Sequence, residues 1–385
     1  MNGRPTVPAG PGVYAGGGCE RLGADDAEGD TPVPAQPTEE PEPQPVVSPL
    51  TQAAIFLVLT ISPGGEDTVR DLLPDLSGLG RSVGFRIPEA SLQVVTAIGS
   101  DAWDRLFAGP RPRELHPFRE LTGARHHAPA TPGDLLFHIR ANRMDMCFEF
   151  ATQVMRRLRD VVEVADEVQG FRYFDERDLI GFVDGTESPG GAAGIRAAIV
   201  TADADPDFAG GSYVIVQKYL HDIPGWNAIS IEEQERVIGR SKLDDIEMPD
   251  DVKPANSHVA LNTITGPDGE ERQIIRANMP FGNPGPDEFG TYYIGYAATP
   301  SVTEEMLSNM FIGSPPGNTD RILDFSTATT GTLFFAPCAD FLEDPPGPPG
   351  ATTTGAAGAA AADAPGTPAG SPAGDGSLGI GSLKG

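Results

Sequence analysis

Gly181-Phe182-Val183-Asp184-Gly185-Thr186-Glu187-Ser188-Pro189 is the stretch on which the reading of this chain turns. Gly181 and Gly185 permit backbone shapes that a side chain forbids, and Pro189 blocks regular structure beyond it. The segment is therefore a turn-prone loop carrying two carboxylates. On the residues alone, an aspartate in such a turn serves as an Asx-turn or a helix cap.

Further segments give that loop a context. The chain has six histidines, His116, His126, His127, His138, His221 and His258. His258 stands in Asn256-Ser257-His258-Val259-Ala260-Leu261-Asn262, which by itself reads as a polar helix end or loop. In Ile274-Ile275-Arg276-Ala277-Asn278-Met279-Pro280 the alternation puts Arg276 and Asn278 on one face of a strand, ordinarily a solvated one. His138 lies in the alternating apolar run Leu135-Leu136-Phe137-His138-Ile139 and reads as a core histidine.

Taken together and in this order, these segments resemble the dye-decolourising peroxidases, most closely the compact bacterial B type. The signature loop of that haem family is Gly-x-x-Asp-Gly. Thr131 to Arg140 and Thr319 to Ser326 match further family segments, and the resemblance spans roughly residues 50 to 345. It implies one haem b per chain, with His258 as the iron ligand and Asp320 as acceptor for the ligand's other ring N–H. It also implies that Arg240 binds a propionate. Asp184 would move the proton of hydrogen peroxide, Arg276 would stabilise the departing hydroxide, and Asn278 would orient peroxide and distal water. For bulky reductants such as dyes and phenolics, the resemblance implies a surface electron relay such as Trp226 or a tyrosine. Glu187, Glu247 and Glu271 match acidic positions implicated in Mn²⁺ oxidation, although three solvated glutamates are the plainer reading. The alternative within the same fold is a haem carrier or iron-releasing protein, which needs His258 but not Arg276.

Composition bounds the rest. A net charge of −28 excludes the clustered cations that nucleic acid requires. Cys19, Cys147 and Cys338 are too few and too scattered for a disulfide framework or a zinc site. The start of the chain lacks the pattern of a secretory signal, and no apolar run reaches the ~20 residues of a membrane helix. A soluble cytoplasmic protein is expected.

Residues 1–48 are rich in Pro, Gly and acids and should be disordered. Residues 49–175 then read as strand, helix, two strands, helix and strand. The helix at about 144–160 is marked by the apolar stripe Met146, Phe150, Val154 and Leu158. Residues 176–344 repeat the order, and Ser230-Ile231-Glu232-Glu233 reads as a capping box at the start of a helix. The fold expected is α+β, two ferredoxin-like units with paired four-stranded sheets packed face to face. This agrees with the dimeric α+β barrel-like domain that the resemblance implies, with haem on the C-terminal half.

Residues 345–374 read as a flexible linker. The last segment, 375–385, places Leu378, Ile380 and Leu383 in an otherwise bare tail. It resembles the cargo-loading peptide of encapsulin nanocompartments, which implies a shell protein as partner and residence inside that shell. Hydrogen peroxide and small reductants would be the other partners, and a homo-oligomer, dimer to hexamer, the assembly.

Overall fold

A computed structural model describes residues 41–185 and 188–350. In the first half, β1 (Ala53–Ile61) leads into α1 (Glu66–Leu72) and α2 (Leu76–Gly84). Strand β2 (Gln93–Gly99), helix α3 (Ser100–Leu106) and a two-stranded hairpin of β3 (Leu121–Thr122) and β4 (His127–Ala128) follow. The half closes with β5 (Leu135–Ala141), α4 (Met144–Leu158) and β6 (Val162–Phe171). Met146, Phe150, Val154 and Leu158 are all buried, so the four-residue stripe is the face that α4 lays on the sheet.

The second half opens with α5 (Gly191–Ala198), a helix where the sequence reads as loop, and β7 (Ser212–His221). Helix α6 (Ile223–Ala228) precedes α7 (Ile231–Ile238), whose N-cap Ser230 accepts from the Glu233 N–H. After α8 (His258–Asn262) come β8 (Ile264–Thr265), β9 (Glu271–Arg272), β10 (Ile275–Arg276), β11 (Met279–Asn283) and β12 (Glu288–Ala297). Helix α9 (Pro300–Phe311), β13 (Ser326–Ala328), β14 (Thr332–Ala336) and α10 (Ala339–Glu343) complete the described part.

Each half has the strand order of a ferredoxin-like unit, with its fourth strand beside the first, then the third, then the second. The inner faces of the two halves pack against each other as the sequence suggested, Phe56 stacking on Tyr292 at 4.2 Å between ring centroids, but the halves are not separate sheets. β14 pairs with β2 through Phe334↔Gly99 and Phe335↔Ile98, which joins them edge to edge in one antiparallel sheet of ten strands. That sheet curls until β6 and β11 approach at its far edges. A Cβ added to Gly170 would lie 2.6 Å from Cβ of Met279, yet no ladder joins the two strands and the barrel stays open.

Alternate residues serve two cores. Phe56, Leu136, Val214, Tyr292 and Phe334 fill the inside of the curl, and Leu57, Phe137, Ile215 and Phe335 pack under the helices. Strands buried on both faces must be apolar throughout, which is why β1 reads as a continuous hydrophobic run. The packed chain also starts earlier than residue 49. Gln44 and Val46 are buried, and the Gln44 side chain exchanges 2.8 Å hydrogen bonds with the Thr96 backbone and donates to Pro337 O. Among the described residues, no helix is long and apolar enough to cross a membrane.

Candidate active site

The main cavity lies in the second half and holds about 1160 Å³ of space between atoms, its mouth included. β7 and β12 form its floor. Tyr219 and His221 of β7 and Thr291 and Tyr293 of β12 face it, while their neighbours Leu220 and Tyr292 turn to the inner core. α8 and α9 form one wall, and the loop 178–185 with β10 forms the other.

On the α8 side, Ser257 caps the helix and thereby places His258 at its first position. His258 Nδ1 lies 2.7 Å from Oδ2 of Asp320, which has no exposed surface. Asp320 is itself fixed, because its Oδ1 accepts the Ile322 N–H at 3.0 Å and its own N–H donates to Met310 O. Asn262 Nδ2 donates to His258 O at 2.8 Å and approaches Asp320 Oδ2 at 3.4 Å. With Nδ1–H donated to the carboxylate, the lone pair resides on Nε2. Burial alone would lower the His258 pKa, but the charge and hydrogen bond of Asp320 outweigh it and the net shift is upward.

Across the cavity, the loop 178–185 is clamped at several points. Arg177 donates to the carbonyls of Gly181, Lys242 and Leu243, and the buried Trp226 donates to Ile180 O at 2.9 Å. Gly181 has φ +92°, a backbone shape that favours glycine, and a Cβ there would also push aside the end of the Lys242 side chain. Asp184 lines the cavity and accepts from Asn278 Nδ2 at 3.2 Å. Asn278 Oδ1 accepts the Ile294 N–H at 3.0 Å, which fixes the direction of its amide. The backbone N–H of Arg276 donates to Ser188 Oγ, and its side chain lines the same wall.

Asp184, Arg276, Asn278, His258 and Arg240 thus border one cavity, with Asp320 directly behind His258. Arg240 is braced by Asp245, at 2.9 Å to the carboxylate and 2.8 Å to the carbonyl. Trp226 is only 1 % exposed, so it is no surface relay; it packs against Phe182 and Phe325 behind the loop. Glu247 and Glu271 line a second, surface cavity, where Lys253 pairs with Glu247 at 2.5 Å and with Asp250 at 3.0 Å. No group of three or more potential metal ligands occurs among the described residues. Glu187, Leu378, Ile380 and Leu383 lie outside them.

Three cavity residues were not singled out in the sequence. His221 bonds Ser326 Oγ at 2.7 Å and Thr291 Oγ1 at 3.0 Å, and burial pushes its pKa down to about 4. Both ring nitrogens are engaged, so His221 is a neutral wall residue. Burial pushes the Tyr293 hydroxyl up to about 12, against the opposing charge of Arg276. Asp178 is the third. Its signal was a carboxylate four residues before Phe182 in a turn that contains Gly181.

The walls fit a flat, largely apolar cofactor with an acidic edge. Ile238, Val259, Ile274, Leu307 and Ile322 supply apolar surface, one imidazole with a carboxylate behind it supplies a metal ligand, and Arg240 supplies a cation.

Family models for the N-terminal and C-terminal parts of Dyp-type peroxidases match residues 43–172 and 175–341. A curated dye-decolorizing peroxidase of Mycolicibacterium paratuberculosis is 62% identical over 89% of this chain and 93% of its own. The encapsulated DyP-type peroxidase of Mycobacterium smegmatis, solved by cryo-EM, is 67% identical with a TM-score of 0.79, covering 80% of this chain and 100% of its own. A DypB variant from Rhodococcus jostii RHA1 in complex with heme is 55% identical with a TM-score of 0.77, over 78% of this chain and 98% of its own. A further DypB variant was solved in complex with manganese.

The state of His221 has a consequence for stability. Its folded pKa lies below the ordinary 6.5, so protonation favours the unfolded chain. The stabilisation is complete above about 6.5 and is lost as pH falls toward 4. His221→Gln, which removes the titration, should show a shallower fall of the urea midpoint between about pH 7 and 5 than the parent. Parallel curves would show that His221 contributes nothing to acid sensitivity.

Proposed function

The chain belongs to the Dyp-type peroxidase family, and on that premise we propose that its cavity binds one haem b and that its residues divide the work of hydrogen-peroxide reduction between two walls. The observation that carries this reading is the opposition, across one cavity, of the His258–Asp320 pair and the Asp184–Asn278–Arg276 group. His258 Nε2 would hold the iron, and Arg240 would pair with a carboxylate of the cofactor. Asp320, accepting from Nδ1, makes the imidazole a stronger donor. When bound, the haem supplies a redox-active iron that takes electrons from reductants and passes them to peroxide.

The protein's own part is proton movement and charge placement. Asp184 accepts the proton from one peroxide oxygen and returns it to the other, which departs as water. Asn278 holds the Asp184 carboxylate by its fixed amide, so the acceptor keeps one orientation. Arg276 places a cation where negative charge develops as the oxygen–oxygen bond lengthens. Dyes and phenolics are the reductants proposed. A Mn²⁺ route would use Glu247 and Glu271, which share the surface cavity, together with Glu187, and Mn²⁺ would have to displace Lys253 from Glu247. The DypB variant solved in complex with manganese supports a Mn²⁺ route.

Residence in an encapsulin shell is proposed for the C-terminal segment, with support from the encapsulated relative and from Leu378, Ile380 and Leu383 in the last eleven residues. Gly347 O accepts the Ala108 N–H at 2.8 Å, so the packed chain runs past Pro345, where the sequence reading began the linker. A flexible linker over 348–374 would have a reach of about 30 Å, from ~5–6 Å times the square root of its length. Three apolar anchors bind modestly alone but gain through effective concentration when an oligomer presents several tails.

Arg276→Leu should slow the stopped-flow absorbance change that follows mixing of the haem-loaded protein with hydrogen peroxide by ~100-fold or more. An unchanged rate would sink the assignment of Arg276. For the tail, co-expression with the matching shell protein is the test. The full chain should co-purify with the shell, and a chain stopped at Gly374 should not. Equal recovery would remove the address from residues 375–385.

A further inference from the structure

Behind Asp184 the cavity wall holds a second carboxyl, that of Asp178. Its Oδ1 accepts the Phe182 N–H at 3.0 Å, and its own N–H donates to Phe182 O at 2.8 Å. Gly181 N–H donates to Asp178 O at 3.1 Å, and the bridge between Arg177 and Val183 continues the turn. The next residue is Asp184, whose N–H donates to Glu176 O. The turn closed by Asp178 is therefore the one that delivers Asp184 to the cavity.

Charged groups surround Asp178 from three directions. Asp184 stands in the same loop. From the segment after α7, Lys242 extends over the rings of Phe182 and Trp226 and donates to Gln234, while Glu235 accepts the Lys242 N–H. Arg177 spends its guanidinium on carbonyls, and Arg240 and Arg276 lie elsewhere on the cavity wall. Burial first, and then the charge of Asp184, pushes the Asp178 carboxyl up to about 7, against the backbone N–H bonds that favour its charged form.

We propose that Asp178 is a positioning residue for the peroxide step, aiming Asp184 through the turn it closes and, once ionised, adding a second negative charge to that wall. The proposal rests on the role given to Asp184 above. Burial and the neighbouring charge of Asp184 both oppose ionisation of Asp178. Once Asp178 ionises, a second anion stands on the wall where negative charge develops on the departing oxygen. It also offsets part of the field of Arg276. The peroxide reaction should therefore slow as pH rises through about 7.

Two substitutions separate aiming from charge. Asp178→Asn keeps an oxygen acceptor for the Phe182 N–H but cannot ionise, and Asp178→Ala removes both. With haem-loaded protein, the parent's rate with hydrogen peroxide should fall ~10-fold between about pH 6 and 8, and the Asn variant should stay within ~3-fold of the parent's acidic rate throughout. The Ala variant should be at least ~10-fold slower than the Asn variant at every pH. An Asn variant that retains the parent's pH dependence, or an Ala variant as fast as the Asn variant, would overturn the proposal. A readout without turnover keeps this apart from the peroxidase reading. The infrared band of a protonated carboxyl should disappear in the parent near pH 7 and be absent in Asp178→Asn, and its midpoint should move down in Asp184→Asn. A midpoint unmoved by Asp184→Asn refutes the coupling even where turnover is normal. Absent peroxide turnover with a shifted midpoint refutes the peroxidase reading alone.

Discussion

Asp320 is a carboxylate with no exposed surface, and the second half of the chain is arranged to make that tolerable. Burying an ionised carboxylate is costly unless hydrogen bonds replace its water. Here Ile322 N–H, His258 Nδ1 and Asn262 Nδ2 converge on its two oxygens, and its own N–H is tied to the end of α9. One residue, through its side chain and its own N–H, thus binds α8, α9 and the turn before β13 into a unit. The same bonds orient the His258 ring and hold its proton on Nδ1. The electrostatics that stabilise the local fold are those a metal ligand needs, which is why the wall is rigid where it must be.

The opposite wall is built on another principle. The loop 178–185 has little regular structure, and its shape is imposed by its surroundings: Arg177 across three carbonyls, Trp226 on Ile180, and Lys242 over Phe182. Gly181 at φ +92° yields the turn that the clamp requires. Among the described residues, the first half of the chain contributes none to this cavity. Its part is to extend the sheet through the β14–β2 seam, so that the floor strands β7 and β12 are buried on their inner face and cannot twist freely.

Local signals were legible where a pattern is completed within one element. The stripe of α4, the Ser230 cap and the apolar run of β1 depend on neighbours in sequence, and the structure places them as read. The seam was not legible, because Phe334↔Gly99 joins residues that no periodicity relates. Helix α5 escaped notice because Gly191-Ala192-Ala193-Gly194 lacks an apolar stripe and carries two helix-weakening glycines. The strand read through Ile274 to Pro280 is interrupted, since β10 and β11 each pair with β12 and the preceding β9 pairs with β8. Within the site, the positions of His258, Asp184 and Arg276 followed from ordered motifs. Trp226 was placed at the surface because an aromatic's exposure is set by tertiary packing. Asp178 was passed over because its contact with Phe182 exists only once the turn is folded.

The central claim is that His258, held by Asp320, is the group that binds the haem iron. Resonance Raman spectroscopy of the reduced, haem-loaded protein reads that bond directly. The account predicts an iron–histidine stretching band in the parent, a shift to lower frequency in Asp320→Asn as the imidazole loses its carboxylate, and loss of the band in His258→Ala. An iron–histidine band that persists unchanged in His258→Ala would contradict it.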